Sequence, residues 1–242
     1  MNYRIAAPAK DTKDDFPFLR LMESAIQSIY TEMQKAGNAK EAAKMAKYMK
    51  DRYPYFGVKS PARKEIQKAY FPIWKKEFKG REMEMAQKLW NKPEREMQYV
   101  AMDWMKSTSI WKIPGAIEQI ETWICHESWW DSVDFLASTC VGGYFLKFPG
   151  ERDIWIEKWN NSPDFWLNRT AIIFQLKYKS KIDTDLMFAV MDTHKGQKEF
   201  FIRKAIGWAL RELSKTQPEK VREYLSSREL SGLSVREASK YL

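Results

Sequence analysis

The sequence predicts an all-α protein in which paired helices stack as an α-solenoid with a concave, basic groove, and three observations predict it. Apolar residues recur at three- and four-residue intervals along nearly the whole chain. No run alternates polar and apolar residues long enough for a convincing strand, and there is no Asn-Gly or Asp-Gly hairpin turn. Polar residues also recur at a near-constant spacing of about one helix pair.

The helical spacing is plain in Phe18, Leu21, Ile26, Ile29 and Met33, and again in Trp166, Ile173 and Leu176. Helix starts are marked by a capping residue and an early proline at Ser60-Pro61, Asn91-Lys92-Pro93-Glu94, Ser162-Pro163-Asp164 and Thr216-Gln217-Pro218-Glu219. Roughly a dozen helices of ordinary length joined by short connections follow from these signals. The long-range period runs through Arg63, Gln98, Asp134, Arg169, Arg203 and Arg236, at intervals of 35, 36, 35, 34 and 33 residues. Small or apolar pairs follow several of these rungs, as in Val100-Ala101, Leu136-Ala137, Ala171-Ile172 and Ala205-Ile206. Helix pairs repeating at this length place equivalent side chains along one edge of a solenoid surface. Each rung is equally open to a second reading, as an inter-repeat hydrogen bond.

Composition bounds what such a chain can do. Its 242 residues hold 41 Lys plus Arg against 32 Asp plus Glu, a formal charge of +9. Residues 195–242 carry eleven basic and six acidic residues, hence +5 of that total. A balance of this kind suits a polyanion such as nucleic acid, or an anionic surface. The start, MNYRIAAPAKDTKDD, has no apolar signal core, so residues 1–15 read as a disordered lead-in and residues 16–242 as a single domain. The longest uncharged stretch, 135–146, is too short to span a bilayer, so no membrane is expected and a cytoplasmic place is. Cys125 and Cys140 read as small buried helix residues, and no pair among them and His126 and His194 has metal-ligand spacing. No metal or other cofactor is expected.

The richest segment is Ser128-Trp129-Trp130-Asp131-Ser132-Val133-Asp134. Ser128 and Asp131 have the spacing of an N-terminal capping box. Trp130 and Asp134, four apart, share one helix face, where an indole and a carboxylate can both attract a cation. In isolation Asp134 would be an ordinary solvated acid. Set in a row with four arginines it repels the phosphates they attract, so something must favour a negative charge there. Lys204, Trp208 and Arg211 share another face, with Phe201, Ala205, Ile206 and Leu210 on the packing side of the same helix. Trp74, Trp90, Trp104 and Trp123 read as core, and so does Trp129 beside Val133 and Leu136. Tyr48 stands among lysines, as either a contact or a solvated helix edge.

The chain resembles the AlkD-like DNA alkylation repair glycosylases. The resemblance is carried in order by Pro93-Glu94-Arg95-Glu96, Trp129-Trp130-Asp131-Ser132-Val133-Asp134, Phe174-Gln175-Leu176-Lys177-Tyr178-Lys179 and the run from Lys198 through Phe200, Phe201 and Lys204 to Trp208. It extends from about residue 20 to the C-terminus. It implies HEAT-like repeats that bind double-stranded DNA as a monomer, without cofactor, and excise cationic N3- or N7-alkylated purines. By this resemblance Asp134 is the catalytic carboxylate, with Trp130 and Trp208 as the active-site indoles. Arg169 matches a DNA-backbone arginine, Tyr48 an aromatic DNA contact and Arg211 a basic contact after the second tryptophan. Lys47, Ser60, Arg63 and Lys64 in the first part of the chain, and Lys177, Lys204 and Lys215 in the second, complete the expected DNA contacts. Lys47 and Lys64 stand where arginine is also usual, and residues 1–15 have no counterpart.

A cationic purine leaves without being protonated, so one carboxylate suffices where ordinary glycosidases use two. An open groove with no closed pocket and no wedge loop implies that the lesion stays near the stack instead of being flipped. Two rivals are a non-catalytic solenoid that binds nucleic acid, which gives no reason for Asp134, and a protein scaffold, which needs an apolar or mixed groove in place of an arginine-lined one.

Overall fold

The computed structural model describes residues 15–242, and among the described residues every regular element is a helix, with no strand. The expected lead-in lies, apart from Asp15, outside the described residues. Within the span expected to be one domain, the chain forms two compact units, the first ending at Trp104 and the second running Met105–Leu242.

The first unit contains α1 (Asp15–Lys35), α2 (Ala39–Tyr48), α3 (Ser60–Glu77), α4 (Glu82–Trp90) and most of α5 (Arg95–Thr108). In α1 the buried seam is Met22, Ile26, Ile29 and Met33. Leu21 is instead exposed, because the four-residue step back from Ile26 lands on Met22. Trp74 and Trp104 meet edge to face at 5.9 Å in the core, as expected for these indoles. The motif Pro93-Glu94-Arg95-Glu96 turns out to be a structural clasp. Glu96 accepts N–H donors from Phe56, Gly57 and Val58 at 3.2, 2.8 and 3.0 Å, tying down the loop before α3. Arg95 is buried with its guanidinium 4.0 Å from the Tyr53 ring centre, and Glu94 accepts from the Tyr30 hydroxyl at 2.7 Å.

The second unit contains α6 (Ala116–Cys125), α7 (Trp130–Phe135), α8 (Gly142–Lys147), α9 (Arg152–Asn160), α10 (Phe165–Ile173), α11 (Thr184–His194), α12 (Phe200–Ser214), α13 (Pro218–Ser227) and α14 (Gly232–Ala238). Between α7 and α8 the chain winds through a π-helical turn, Leu136–Val141, so that 130–147 is one continuous helical run. Every residue of α10 from Trp166 to Ile173 is buried. Helix α12 packs most intimately against α14, at Gly207. A Cβ added at Gly207 would stand 2.5 Å from the Glu237 Cβ and 2.8 Å from the Ser234 carbonyl, so only glycine permits this approach.

The helix starts are partly corrected. Pro61 and Pro218 occupy first turns as predicted, but the caps before them, Lys59 and Gln217, form no side-chain cap bond, and Ser60 lies inside α3. Proline already sets φ and lacks an N–H, so the first turn forms without side-chain help. Asn91 closes α4, and Asp164, accepting from the Trp166 N–H at 2.8 Å, is the true cap of α10. The box at Ser128 does not form. Helix α7 starts after Trp129 with no side-chain cap, and the Ser128 hydroxyl donates to the Ile124 carbonyl at 2.6 Å. That carbonyl is one of the orphan acceptors ending α6, four residues back and within reach.

Candidate functional site

The second unit holds an open cavity of about 370 Å³. It is lined by Trp130 and Asp134 from α7, Arg169 from α10, Phe200, Phe201, Lys204, Trp208 and Arg211 from α12, and Glu237 from α14. The four- and three-residue steps that put Lys204, Trp208 and Arg211 on one face in sequence do so here. Ala205, Ile206 and Leu210 take the buried side as expected. Phe201 does not stay on that side: it contacts Trp129 and Trp166, at 5.1 and 4.9 Å between centroids, and still reaches the cavity. Trp129 packs at 6.0 Å against Trp166 and is not among the lining residues, which agrees with its reading as a packing indole.

Arg169 holds Asp134 with two parallel bonds, Nε to Oδ1 at 2.8 Å and Nη2 to Oδ2 at 3.0 Å, and its Nη1 donates to the Phe201 carbonyl. With 4 % of its surface exposed, Arg169 spends its donors on Asp134 and the Phe201 carbonyl while still lining the cavity. Burial pushes the Asp134 carboxyl above its ordinary range, while the Arg169 guanidinium pulls it back down. The net direction is up.

Glu237 was missed by sequence reasoning. Its carboxylate accepts from Lys204 at 2.9 Å, from Arg211 at 2.8 Å and from Lys240 at 2.9 Å. Hydrogen bonds from Lys204 and Lys240 hold it down at about 2. Its one sequence signal was Gly207, an otherwise unexplained glycine inside a strong helix pattern, which marks a close helix approach.

The other expected contacts scatter in their surroundings. Lys177 donates to the Thr139 hydroxyl and is shifted down by burial and by Lys106. Lys215 is exposed and paired with Glu212 at 2.6 Å. In the first unit Tyr48 is 70 % exposed at the end of α2, and Lys47, Ser60 and Lys64 are exposed as well. Arg63 instead bonds Asp103 at 3.3 Å and lies 5.0 Å from the Tyr99 ring centre, an internal rung. Gln98 is buried between Arg95 and the Trp90 carbonyl, so the ladder of polar residues is in part a set of internal bonds. Cys125 is exposed, against expectation, and Cys140 is buried. Burial pushes the Cys140 thiol up. Among the described residues no three His, Cys, Asp or Glu side chains gather as a metal site, and no helix is long and apolar enough to cross a membrane.

No curated protein matches the chain. A solved structure described as a predicted DNA alkylation repair enzyme from Enterococcus faecalis is similar over 85 % of this chain and 96 % of its own, at 32 % identity and a TM-score of 0.77. Residues 29–242 match the family described as DNA alkylation repair enzyme. With the family match spanning most of the chain, and a likeness of this extent to a solved relative, the protein belongs to the DNA alkylation repair enzyme family.

Proposed function

We propose that the protein is a DNA glycosylase that hydrolyses the N-glycosidic bond of cationic N3- or N7-alkylated purines in duplex DNA. One observation carries the reading: Asp134, clamped in a bidentate bond by Arg169, lines a cavity together with the indoles of Trp130 and Trp208. A carboxylate so fixed cannot swing away to solvent, and its charge is directed at whatever occupies the cavity.

Alkylation at N3 or N7 makes the purine a cation and therefore a good leaving group. As the bond breaks, positive charge moves to the deoxyribose. Asp134 stabilises that charge and orients the attacking water, while the π-faces of Trp130 and Trp208 attract the same cation. The second carboxylate of the cavity does not serve as a general acid. With its carboxyl held at about 2, Glu237 has no proton to give near neutral pH. The reading therefore favours leaving groups that already carry charge. Uracil and hypoxanthine, which are neutral, are poor substrates on this account. The open cavity does not enclose a base on all sides, which supports a lesion handled near the stack.

A purely DNA-binding or scaffold role gives no reason to keep an arginine-clamped carboxylate beside two indoles. The test is release of methylated purine from alkylated duplex DNA by the wild-type protein and by Asp134→Asn, with uracil-containing duplex as the negative substrate. Release by the wild type and a loss of at least ~100-fold in the variant support the proposal. Release from uracil duplex at a comparable rate would sink it.

A further inference from the structure

We infer that Glu237 is an internal counter-anion standing where a DNA backbone phosphate binds Lys204 and Arg211, and that it thereby limits how tightly the protein holds undamaged duplex. The inference rests on the reading of the cavity as a DNA site.

The geometry separates the acid from its cations. The Glu237 side chain is 12 % exposed, whereas Lys204, Arg211 and Lys240 are 37, 22 and 51 % exposed. An anion arriving from solvent thus meets the cations before it meets the carboxylate. The position of Glu237 is also set by the backbone and not only by the charges it attracts. Gly207 lets α14 close onto α12, and the Ser234 hydroxyl donates to the Arg203 carbonyl at 2.9 Å on the same contact. The fold therefore delivers a negative charge to the middle of a basic cluster.

A carboxylate and a phosphate accept the same charge-assisted N–H bonds from Lys and Arg. A phosphate approaching this wall therefore exchanges partners with Glu237 and does not add to a bare cluster. Because these cations are partly exposed and screened, each existing pair is weak and the exchange is feasible. The exchange returns little net affinity, whereas the same cations without Glu237 would bind any backbone strongly. The other acid of the cavity, Asp134, is already matched by Arg169, so Glu237 is the carboxylate that tempers this grip.

The experiment titrates short undamaged duplex DNA against wild type, Glu237→Gln, Glu237→Asp and the double variant Glu237→Gln/Lys204→Ala, over a salt series, with melting temperatures alongside. The expected result for Glu237→Gln is about tenfold tighter binding and a salt slope steeper by about one to two units. Glu237→Asp keeps the charge and stays near wild type. The double variant returns towards the wild-type slope, because the liberated lysine has gone. Unchanged or weaker binding by Glu237→Gln with an unaltered slope overturns the inference, whether or not its melting temperature falls, and makes Glu237 a clamp between α12 and α14. Failure of the wild type to bind duplex DNA overturns the DNA reading itself, and the inference with it.

Discussion

Each unit of the protein contains an arginine bonded to an aspartate across two helices, and the two pairs do different things. In the first unit Arg63 reaches Asp103 through a single 3.3 Å contact, shares the same carboxylate oxygen with Gln67 at 3.1 Å, and lies against Tyr99. In the second, Arg169 takes both oxygens of Asp134 at 2.8 and 3.0 Å, and the pair opens onto a cavity with two indoles. The first carboxylate divides one oxygen between two donors; the second has both oxygens held by one guanidinium and lines a cavity beside two indoles. An ion pair by itself marks no site. The aromatic, solvent-reaching wall beside it does.

Breaking the contrast should have its largest effect at the carboxylates. Asp134→Asn should lower base release by at least ~100-fold. Asp103→Asn should lower the melting temperature while leaving the single-turnover rate within a few-fold. Equal losses of rate in the two would erase the distinction between the units.

The arginines sharpen it next. Arg169→Ala strands the Asp134 carboxylate in a buried place, an error of about 3–5 kcal/mol when a buried pair is broken. Asp134 already sits above its ordinary range through burial, so losing Arg169 moves it up again. The active form is the ionised one, and a raised acid loses it as pH falls through the raised value. The wild-type rate should therefore show an acid limb above the usual carboxylate range, and Arg169→Ala should shift that limb upward and recover activity as pH rises. The sign for stability is the reverse. A raised carboxyl contributes stability at acid pH and loses it as pH rises through the folded value. The Arg169→Ala protein should thus lose more stability, relative to wild type, at neutral than at acid pH. Arg63→Ala should show no such change in the pH–rate profile.

The indoles come third. Trp130→Ala and Trp208→Ala should each slow excision by about 1–2 kcal/mol of lost cation–π contact. Trp129→Ala, which removes a ring packed on Trp166 and Phe201, should instead lower the melting temperature. Similar losses of rate at all three would move the site to include Trp129. The smallest effect concerns grip. Arg211→Ala should flatten the salt dependence of DNA binding by about one unit or less, whereas Arg169→Ala should leave it unchanged. A flattened slope for Arg169→Ala would make it a phosphate contact.

What could be read without coordinates was local. Trp130 with Asp134, and Lys204 with Trp208 and Arg211, lie within two turns of one helix, where spacing alone decides which side chains share a face. The tryptophan cores were legible for the same reason, since apolar periodicity selects the buried side. The pairing of Asp134 with Arg169 is 35 residues long, and the period that found both residues could not say that one would consume the other. Glu237 stands next to a ladder position without a signal of its own, because its meaning comes only from the approach of α14 to α12. The motif 93–96 carries part of the family likeness, while its Glu96 ties down a loop. Cys125 misled because it ends α6, where the chain leaves the core.

The π-helical turn after Asp134 bears on how the length of this segment can be edited. A wide turn accommodates more residues per revolution than an α turn, so Leu136–Val141 stores extra chain between two fixed points. Those points are firm. The Ser138 hydroxyl bonds the Asp134 carbonyl at 2.7 Å, and Gly142 lies so close to α10's end that an added Cβ would stand 2.6 Å from the Phe174 carbonyl. Removing one residue within 136–141 lets the wide turn tighten to ordinary α geometry while Asp134 and Gly142 keep their facings. The same deletion between Ala205 and Leu210 has no slack to absorb it and would rotate everything beyond by about 100°, carrying Arg211 off the face it shares with Lys204.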